Sequence, residues 1–180
     1  MKLSIVIPTT GRGTLARAVD AAWRCADQVI VVADSAPDVA ADVHVDCGAP
    51  GLARNAAAPY ITGDWVGFCD DDDVLVPDVY RSVVEDHAEG VDVIVHTMED
   101  PECGLIPRPL PDVPLFHGNV GISFTMRTEL FRAHPFIAGP PLTMRGEDYE
   151  MVTRLVEHDA RLVVSGVVAY LVRPEEVPSG

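Results

Sequence analysis

Residues 64 to 77 read Asp64-Trp65-Val66-Gly67-Phe68-Cys69-Asp70-Asp71-Asp72-Asp73-Val74-Leu75-Val76-Pro77. An apolar run stops abruptly at four consecutive aspartates. An apolar triplet follows, and then a proline suited to the first turn of a helix. A short apolar run flanked by turn residues reads as a buried strand. The carboxylates then lie at its C-terminal end, where open α/β sheets bind ligands. Four adjacent like charges repel one another, and folding alone gains nothing from them. Two readings stand. The hard oxygens hold a divalent cation, Mg²⁺ or Mn²⁺, or the run is a solvated acidic loop in a chain that is acidic throughout.

The remaining sequence narrows the class. A chain of 180 residues with 48% hydrophobic content is long enough for one domain with a sizeable core, and too apolar to be disordered. No run reaches the length of a membrane span. Met1-Lys2-Leu3-Ser4-Ile5-Val6-Ile7-Pro8 carries one basic residue and too short an apolar stretch for a signal peptide. It reads as a first strand, and the expectation is a cytoplasmic protein. Cys25, Cys47, Cys69 and Cys103 form no CxxC pair and read as reduced, mostly buried thiols. A net charge of −15 argues against bulk nucleic-acid binding, which needs a basic surface.

Taken in order, residues 2–8 form a strand, 8–13 a loop with two glycines, and Thr14 caps a helix with Leu15, Val19, Ala22 and Trp23 at helical spacing. Gln28 to Ser35 is a second strand that ends in a carboxylate. This βαβ pattern predicts a mostly parallel sheet flanked by helices, with a nucleotide crevice at its polar strand ends. No GxGxxG follows the first strand and no GxxxxGK[ST] occurs, which disfavours a dinucleotide fold and a P-loop. Val43 to Asp46 is a short edge strand. Residues 51–58 form an alanine-rich helix that carries Arg54, either as a surface ion pair or reaching a base or phosphate. Pro77 to Gly90 is a helix with Val79, Val83 and Val84 inward and Gly90 as its cap. Val91 to Met98 is a strand. Residues 99–114 carry prolines at 101, 107, 109, 111 and 114 and form a loop or edge hairpin. Val120 to Arg127 alternates like a strand, residues 128–133 make a short helix, and 135–141 are irregular. A helix through Met151, Val152, Leu155 and Val156 has Glu147 and Asp148 in its first turn, where the helix dipole favours anions. Arg161 to Val172 is a final strand. Trp23 and Trp65 read most simply as core residues, although an exposed tryptophan could stack on a sugar. His44, His87, His96, His134 and His158 show no metal spacing, and His117 is a weak candidate for metal or acceptor.

These motifs together resemble the inverting GT-A glycosyltransferases of the large family 2 type. Ser4-Ile5-Val6-Ile7-Pro8-Thr9-Thr10-Gly11-Arg12 is similar to that family's strand entering the nucleotide loop. Val31 to Ser35 looks like its second strand, with Asp34 kept and Ala33 in place of a first acidic residue. Gly51-Leu52-Ala53-Arg54-Asn55 looks like its ArN segment. Phe68 to Asp73 with Pro77 matches the DxD region, and Gly146-Glu147-Asp148-Tyr149-Glu150 with Arg154-Leu155 matches the helix that supplies the catalytic base.

The resemblance implies one GT-A domain over residues 1–180. Residues 1–98 would form a nucleotide-sugar half and 99–180 an acceptor and catalytic-base half. It implies an enzyme that transfers a sugar from a nucleotide-sugar donor to an acceptor hydroxyl with Mn²⁺ or Mg²⁺. Asp72 would be the direct metal ligand, with Asp70 as a second. Asp70 or Asp71 would hold the ribose, and Asp73 would orient its neighbours. Pro8, Thr9, Thr10, Arg12, Asp34 and Arg54 would surround the base and phosphates. An Asp34 carboxylate that accepts an imide N–H favours a UDP- or TDP-sugar, because cytosine has no such proton. Asp148 would deprotonate the acceptor, with Glu147 shaping its environment or holding the acceptor. Arg145 and Arg173 are further candidates for the diphosphate. A C-terminal histidine ligand, present in some relatives, has no counterpart after His158. The acceptor stays open among small molecules, glycans, proteins and modified nucleobases. Two rivals remain: a non-catalytic sugar-nucleotide or metal-binding module, and a nucleotidyltransferase. The latter usually has a basic first loop with a lysine, whereas Lys2 is the only lysine here.

Overall fold

Strand β1 (Leu3–Thr9) is buried at all seven positions. Its near-continuous apolar character is that of a strand covered on both faces of a parallel sheet. The computed structural model describes residues 1–108, 119–137 and 146–175. Within them follow α1 (Leu15–Trp23), β2 (Gln28–Asp34), β3 (Val43–Val45), α2 (Pro50–Ala56), β4 (Trp65–Phe68), β5 (Val74–Leu75) and α3 (Pro77–His87). Then come β6 (Val93–Asp100), β7 (Gly104–Ile106), β8 (Phe124–Arg127), α4 (Thr128–Ala133), α5 (Glu147–Glu157) and β9 (Leu162–Leu171). The strands form one sheet in the order β3-β2-β1-β4-β8-β6-β9-β5, with β7 attached to β6. The first four are parallel, β8 runs antiparallel to both β4 and β6, and β9 lies parallel to β6. The chain is a mixed α/β single domain.

The parallel register positions the site. Val6 of β1 pairs with Phe68 of β4. Three residues further along each strand this brings Thr9 beside Asp71. Val32 to Asp34 of β2 pair with Val43 to Val45 of β3. The C-terminal ends of β1, β2 and β4 therefore share one edge of the domain. Behind that edge Phe68 packs edge-to-face on Phe124, Phe131 and Phe136, with ring centroids 5.5, 5.3 and 5.3 Å away. Gly67 lets α3 approach β4, because a Cβ there would collide with the Tyr80 hydroxyl and lie 2.9 Å from Ile5 Cδ1.

Several local expectations need correction. Trp23 is 55% exposed, whereas Trp65 is buried. Trp23 ends α1, whose inward face is built from the small residues Ala18, Ala21 and Ala22. Thr14 precedes α1, but its hydroxyl makes no capping bond. The third helix stops at His87, and Gly90 takes its positive φ of 81° in the turn beyond. Only Phe124–Arg127 of the expected 120–127 strand pairs with neighbours; Val120 and Ile122 are buried outside the ladder. Val156 is 50% exposed, while Met151, Val152 and Leu155 face inward. The expected edge hairpin is present as the β6–β7 pair. Cys25 and Cys69 are buried, Cys47 is half-buried and Cys103 exposed, all as free thiols. Among the described residues no helix is long and apolar enough to cross a membrane.

Candidate active site

The four aspartates that follow β4 do not share one environment. Asp70 is held by Arg54, whose Nη2 donates to Oδ1 at 2.5 Å. Asp71 is buried and accepts from Thr9 Oγ1 at 2.6 Å and from Arg12 Nη1 at 3.0 Å. Asp72 Oδ2 lies 2.7 Å from the same Arg12 nitrogen. Asp73 is buried and accepts from the Tyr170 hydroxyl at 2.7 Å and the Arg173 amide at 2.9 Å. Burial, then the charge of Asp70, pushes Asp73 up to about 7, although Tyr170 and the Arg173 amide pull it down. The repulsion expected from four adjacent carboxylates is thus relieved by two guanidinium groups, a phenol and a backbone amide.

Arg54 joins this loop to the acidic helix. It is 2% exposed, and its Nη1 donates to Glu147 Oε1 at 2.6 Å. Burial alone would lower its pKa, but Asp70, Asp148 and Glu147 outweigh burial and raise it. Its charge is fixed in any case. The lone cation of the alanine-rich helix is therefore neither a surface ion pair nor a lining group of the crevice described below. Small neighbours make this possible. A Cβ on Gly51 would lie 2.7 Å from Glu147 Oε2 and 2.9 Å from Phe136 Cβ. The Gly51 amide instead donates to Glu147 Oε2 at 3.2 Å. Asn55 fixes the adjacent segment by exchanging two hydrogen bonds with the Phe136 backbone, at 2.8 and 2.9 Å.

Asp148 is half-buried at the start of α5, which opens from Gly146 in the left-handed region (φ 107°). Its Oδ1 is buried without a hydrogen-bond partner among the described residues. Arg54 Nη1 lies 3.9 Å from it. Burial, aided by the charges of Asp70 and Glu147 and opposed by Arg54, pushes Asp148 up to about 7. A carboxyl poised there can accept a proton near neutral pH.

A crevice of about 240 Å³ opens beside the aspartate loop, lined by Pro8, Thr9, Thr10, Arg12, Asp34, Ala53, Asp70 and Asp71 among others. Asp34 closes its far end. Asp34 Oδ1 accepts from the Cys47 and Gly48 amides at 2.8 and 3.2 Å, and Oδ2 faces the Cys47 thiol at 3.4 Å. These bonds lower its pKa against the effect of burial. Asp34 thereby also anchors the loop after β3, a role that its position at a strand end does not announce.

Of the remaining candidates, Arg173 directs its guanidinium to Asp100 and Glu102, at 3.6 and 3.7 Å, and not to the aspartate loop. His117 and Arg145 lie outside the described residues. His96 is buried and pushed down to about 3 by burial, so it stays neutral. Sequence reasoning missed two groups. Tyr170 accepts from the Asp70 amide at 3.1 Å while donating to Asp73. Arg17 bridges the Asp72 and Pro174 carbonyls at 3.2 and 3.0 Å. Their partners are distant in sequence, and neither residue type marks such a role.

Among the described residues no set of three His, Cys, Asp or Glu side chains is arranged to hold a metal ion by itself. Asp70 and Asp72 each use one carboxylate oxygen in the contacts above. The second oxygens are hard donors, suited to Mg²⁺ or Mn²⁺ whose other ligands come from phosphates and water.

The family model for Glycosyl transferase family 2 matches residues 4–152. No curated protein matches the sequence. Among solved structures, S. aureus TarS 1–349 superposes with a TM-score of 0.70 at 19% identity, over 96% of this chain and 60% of that one. The mannosyltransferase PcManGT from Pyrobaculum calidifontis, in complex with GDP-Man and Mn²⁺, gives 0.70 at 18% identity over 97% and 58%. Glucosyl-3-phosphoglycerate synthase from Mycobacterium tuberculosis, in complex with Mg²⁺ and UDP, gives 0.61 at 18% identity over 96% and 72%. At such identities the likeness is one of fold. The chain spans about 60% of the length of the TarS fragment.

Proposed function

The chain belongs to glycosyl transferase family 2, and from that premise we propose that it is a metal-dependent inverting glycosyltransferase. It moves a sugar from a nucleotide-sugar donor, a UDP- or TDP-sugar, to an acceptor hydroxyl. Residues 1–98 hold the donor, and the remainder supplies the base and the acceptor side. The observation that carries this reading is Asp148. It is a half-buried carboxyl whose Oδ1 is buried with no hydrogen-bond partner among the described residues, pushed up to about 7, and Arg54 ties its helix to the aspartate loop.

In this reading the donor base lies at the Asp34 end of the crevice. Asp34 Oδ2 accepts the imide N–H, and its bonds to the Cys47 and Gly48 amides hold the carboxylate in place. Asp71, fixed by Thr9, holds the ribose. Asp70 and Asp72 hold Mn²⁺ or Mg²⁺ together with the diphosphate. When bound, the ion neutralises charge that grows on the leaving diphosphate. The acceptor oxygen forms its bond to the anomeric carbon from the face opposite the diphosphate. The bond to the diphosphate oxygen breaks, and that oxygen keeps the electron pair. The acceptor proton passes to Asp148. Glu147 is occupied by Arg54 and the Gly51 amide and serves to hold α5 in place. Structures of other proteins in the comparison contain UDP, UDP-GlcNAc or GDP-Man, which supports a nucleotide-sugar donor.

The test is a calorimetric titration with UDP, TDP, GDP and CDP, each with Mn²⁺ and with EDTA. A screen for donor hydrolysis with wild type and Asp148→Asn follows. The expected result is Mn²⁺-dependent binding of UDP or TDP, weak binding of CDP, and loss of turnover but not of UDP binding in Asp148→Asn. Binding of no nucleotide, or unchanged turnover in the variant, overturns the reading.

A further inference from the structure

Two guanidinium groups of opposite character pair with carboxylates of the aspartate loop. Arg54 is 2% exposed and paired to carboxylates on two elements. Arg12 has a side chain that is 54% exposed, on the glycine-flanked loop after β1, and it reaches both Asp71 and Asp72 through a single nitrogen. Its Nε and Nη2 have no protein partner among the described residues, so two sides of the guanidinium remain for another anion. It also lines the crevice beside Asp70 and Asp71. The two carboxylates it touches differ. Asp71 keeps Thr9 Oγ1 as a second donor at 2.6 Å. The Asp72 carboxylate has Arg12 as its one partner among the described residues. Withdrawal of Arg12 would therefore leave Asp71 in place and expose Asp72 alone.

We propose that Arg12 is an exchangeable counter-cation. It occupies Asp72 in the donor-free protein and passes to the donor's diphosphate when a divalent ion takes the Asp72 carboxylate. The inference rests on the donor reading above and adds an order of events to it. Asp34, Asp70 and Asp71 line this crevice and Asp72 is the next residue along, so a diphosphate entering it meets like charge. A planar guanidinium that already stands at the crevice suits phosphate as well as carboxylate. The exchange gives Arg12 and Asp72 each an opposite charge before and after binding, while Asp71 keeps its bond from Thr9. It also makes ion and nucleotide bind cooperatively, because each removes the other's competitor, and that coupling is reciprocal.

The experiment measures Mn²⁺ alone, UDP in EDTA, and UDP with Mn²⁺, for wild type and Arg12→Gln. With the competing cation gone, Mn²⁺ alone should bind roughly 2- to 5-fold more tightly, as the strength of an exposed ion pair allows. UDP in EDTA should bind more weakly, and the mutual enhancement of Mn²⁺ and UDP should shrink. A residue that only shapes the loop would weaken both ligands, and a simple phosphate ligand would leave Mn²⁺ alone unchanged. Either pattern overturns the inference. A wild type that binds neither Mn²⁺ nor UDP overturns the donor reading itself. A wild type that binds both, with a Mn²⁺ affinity indifferent to Arg12, overturns the exchange alone.

Discussion

Arg54 Nη1 lies 3.9 Å from Asp148 Oδ1 and donates no hydrogen bond to it. The same nitrogen is committed to Glu147 at 2.6 Å. Arg54 therefore supplies positive charge to Asp148 without taking up the oxygen that would receive a proton. Charge moderates the cost of an ionised carboxylate in this half-buried site, and Oδ1 has no donor among the described residues to hold it ionised.

The first expectation concerns pH. Asp148 must be deprotonated to act as a base, and burial pushes it up to about 7. Turnover should rise with pH through a single limb near 7, because protonated Asp148 predominates below it. Asp148→Asn should lower turnover by roughly 10²- to 10⁴-fold and abolish that limb. A pH profile that is flat from 5 to 8 in wild type would remove Asp148 from this role.

Arg54→Gln should destabilise the domain by about 1–3 kcal/mol in denaturant unfolding, because partly exposed carboxylates lose the buried cation that bonds them. Asp70, Glu147 and Asp148 all face the lost charge. Arg54→Lys should not restore activity, since an ammonium has no planar fork to span two carboxylates. Full activity in the lysine variant would show that charge alone suffices.

The fold was legible from the sequence to the extent that its signals are local. The apolar runs of β1, β2 and β4, and Pro77 at the first position of α3, fix the elements that carry the site. Glu147 and Asp148 fall in the first turn of α5 as the pattern predicted. Arg54 was recognised as unusual, but its burial was not. Its partners lie 16 and 93 residues away in sequence, and burial of an arginine is decided by such partners. Trp23 failed for a related reason. Its helix is amphipathic, but the space beneath it is filled by alanines, so the large ring at the helix end stays outside.

Gly51→Ala tests the contact between α2 and α5. The new methyl group would stand 2.7 Å from Glu147 Oε2 and 2.9 Å from Phe136 Cβ, both side chains in fixed positions. The strain should cost roughly 1–3 kcal/mol. Displacement of α5, which carries Asp148, should reduce turnover more than UDP affinity, since no α5 residue lines the crevice. Equal losses in both would mean that the two helices do not position the base.

Tyr170→Phe removes one hydroxyl that accepts from the Asp70 amide and donates to Asp73. About 1–3 kcal/mol should be lost, because the buried Asp73 carboxyl keeps only the Arg173 amide. Affinity for Mn²⁺ with UDP should fall as well, since the aspartate loop loses its tie to β9. A variant with wild-type stability and ion affinity would reduce Tyr170 to a packing residue.

The bonds from Tyr170, Arg173 and Arg17 fasten the end of β9 to the aspartate loop. Mechanically the two segments are one strut, although they are about 100 residues apart in the chain. Met1 instead stands beside Asp64 and Trp65, at the opposite end of the sheet. The two ends of the described chain are therefore unequal as handles. Tension, a tag or a fusion applied at Glu175 loads the aspartate loop, whereas the same load at Met1 is borne by the buried strands.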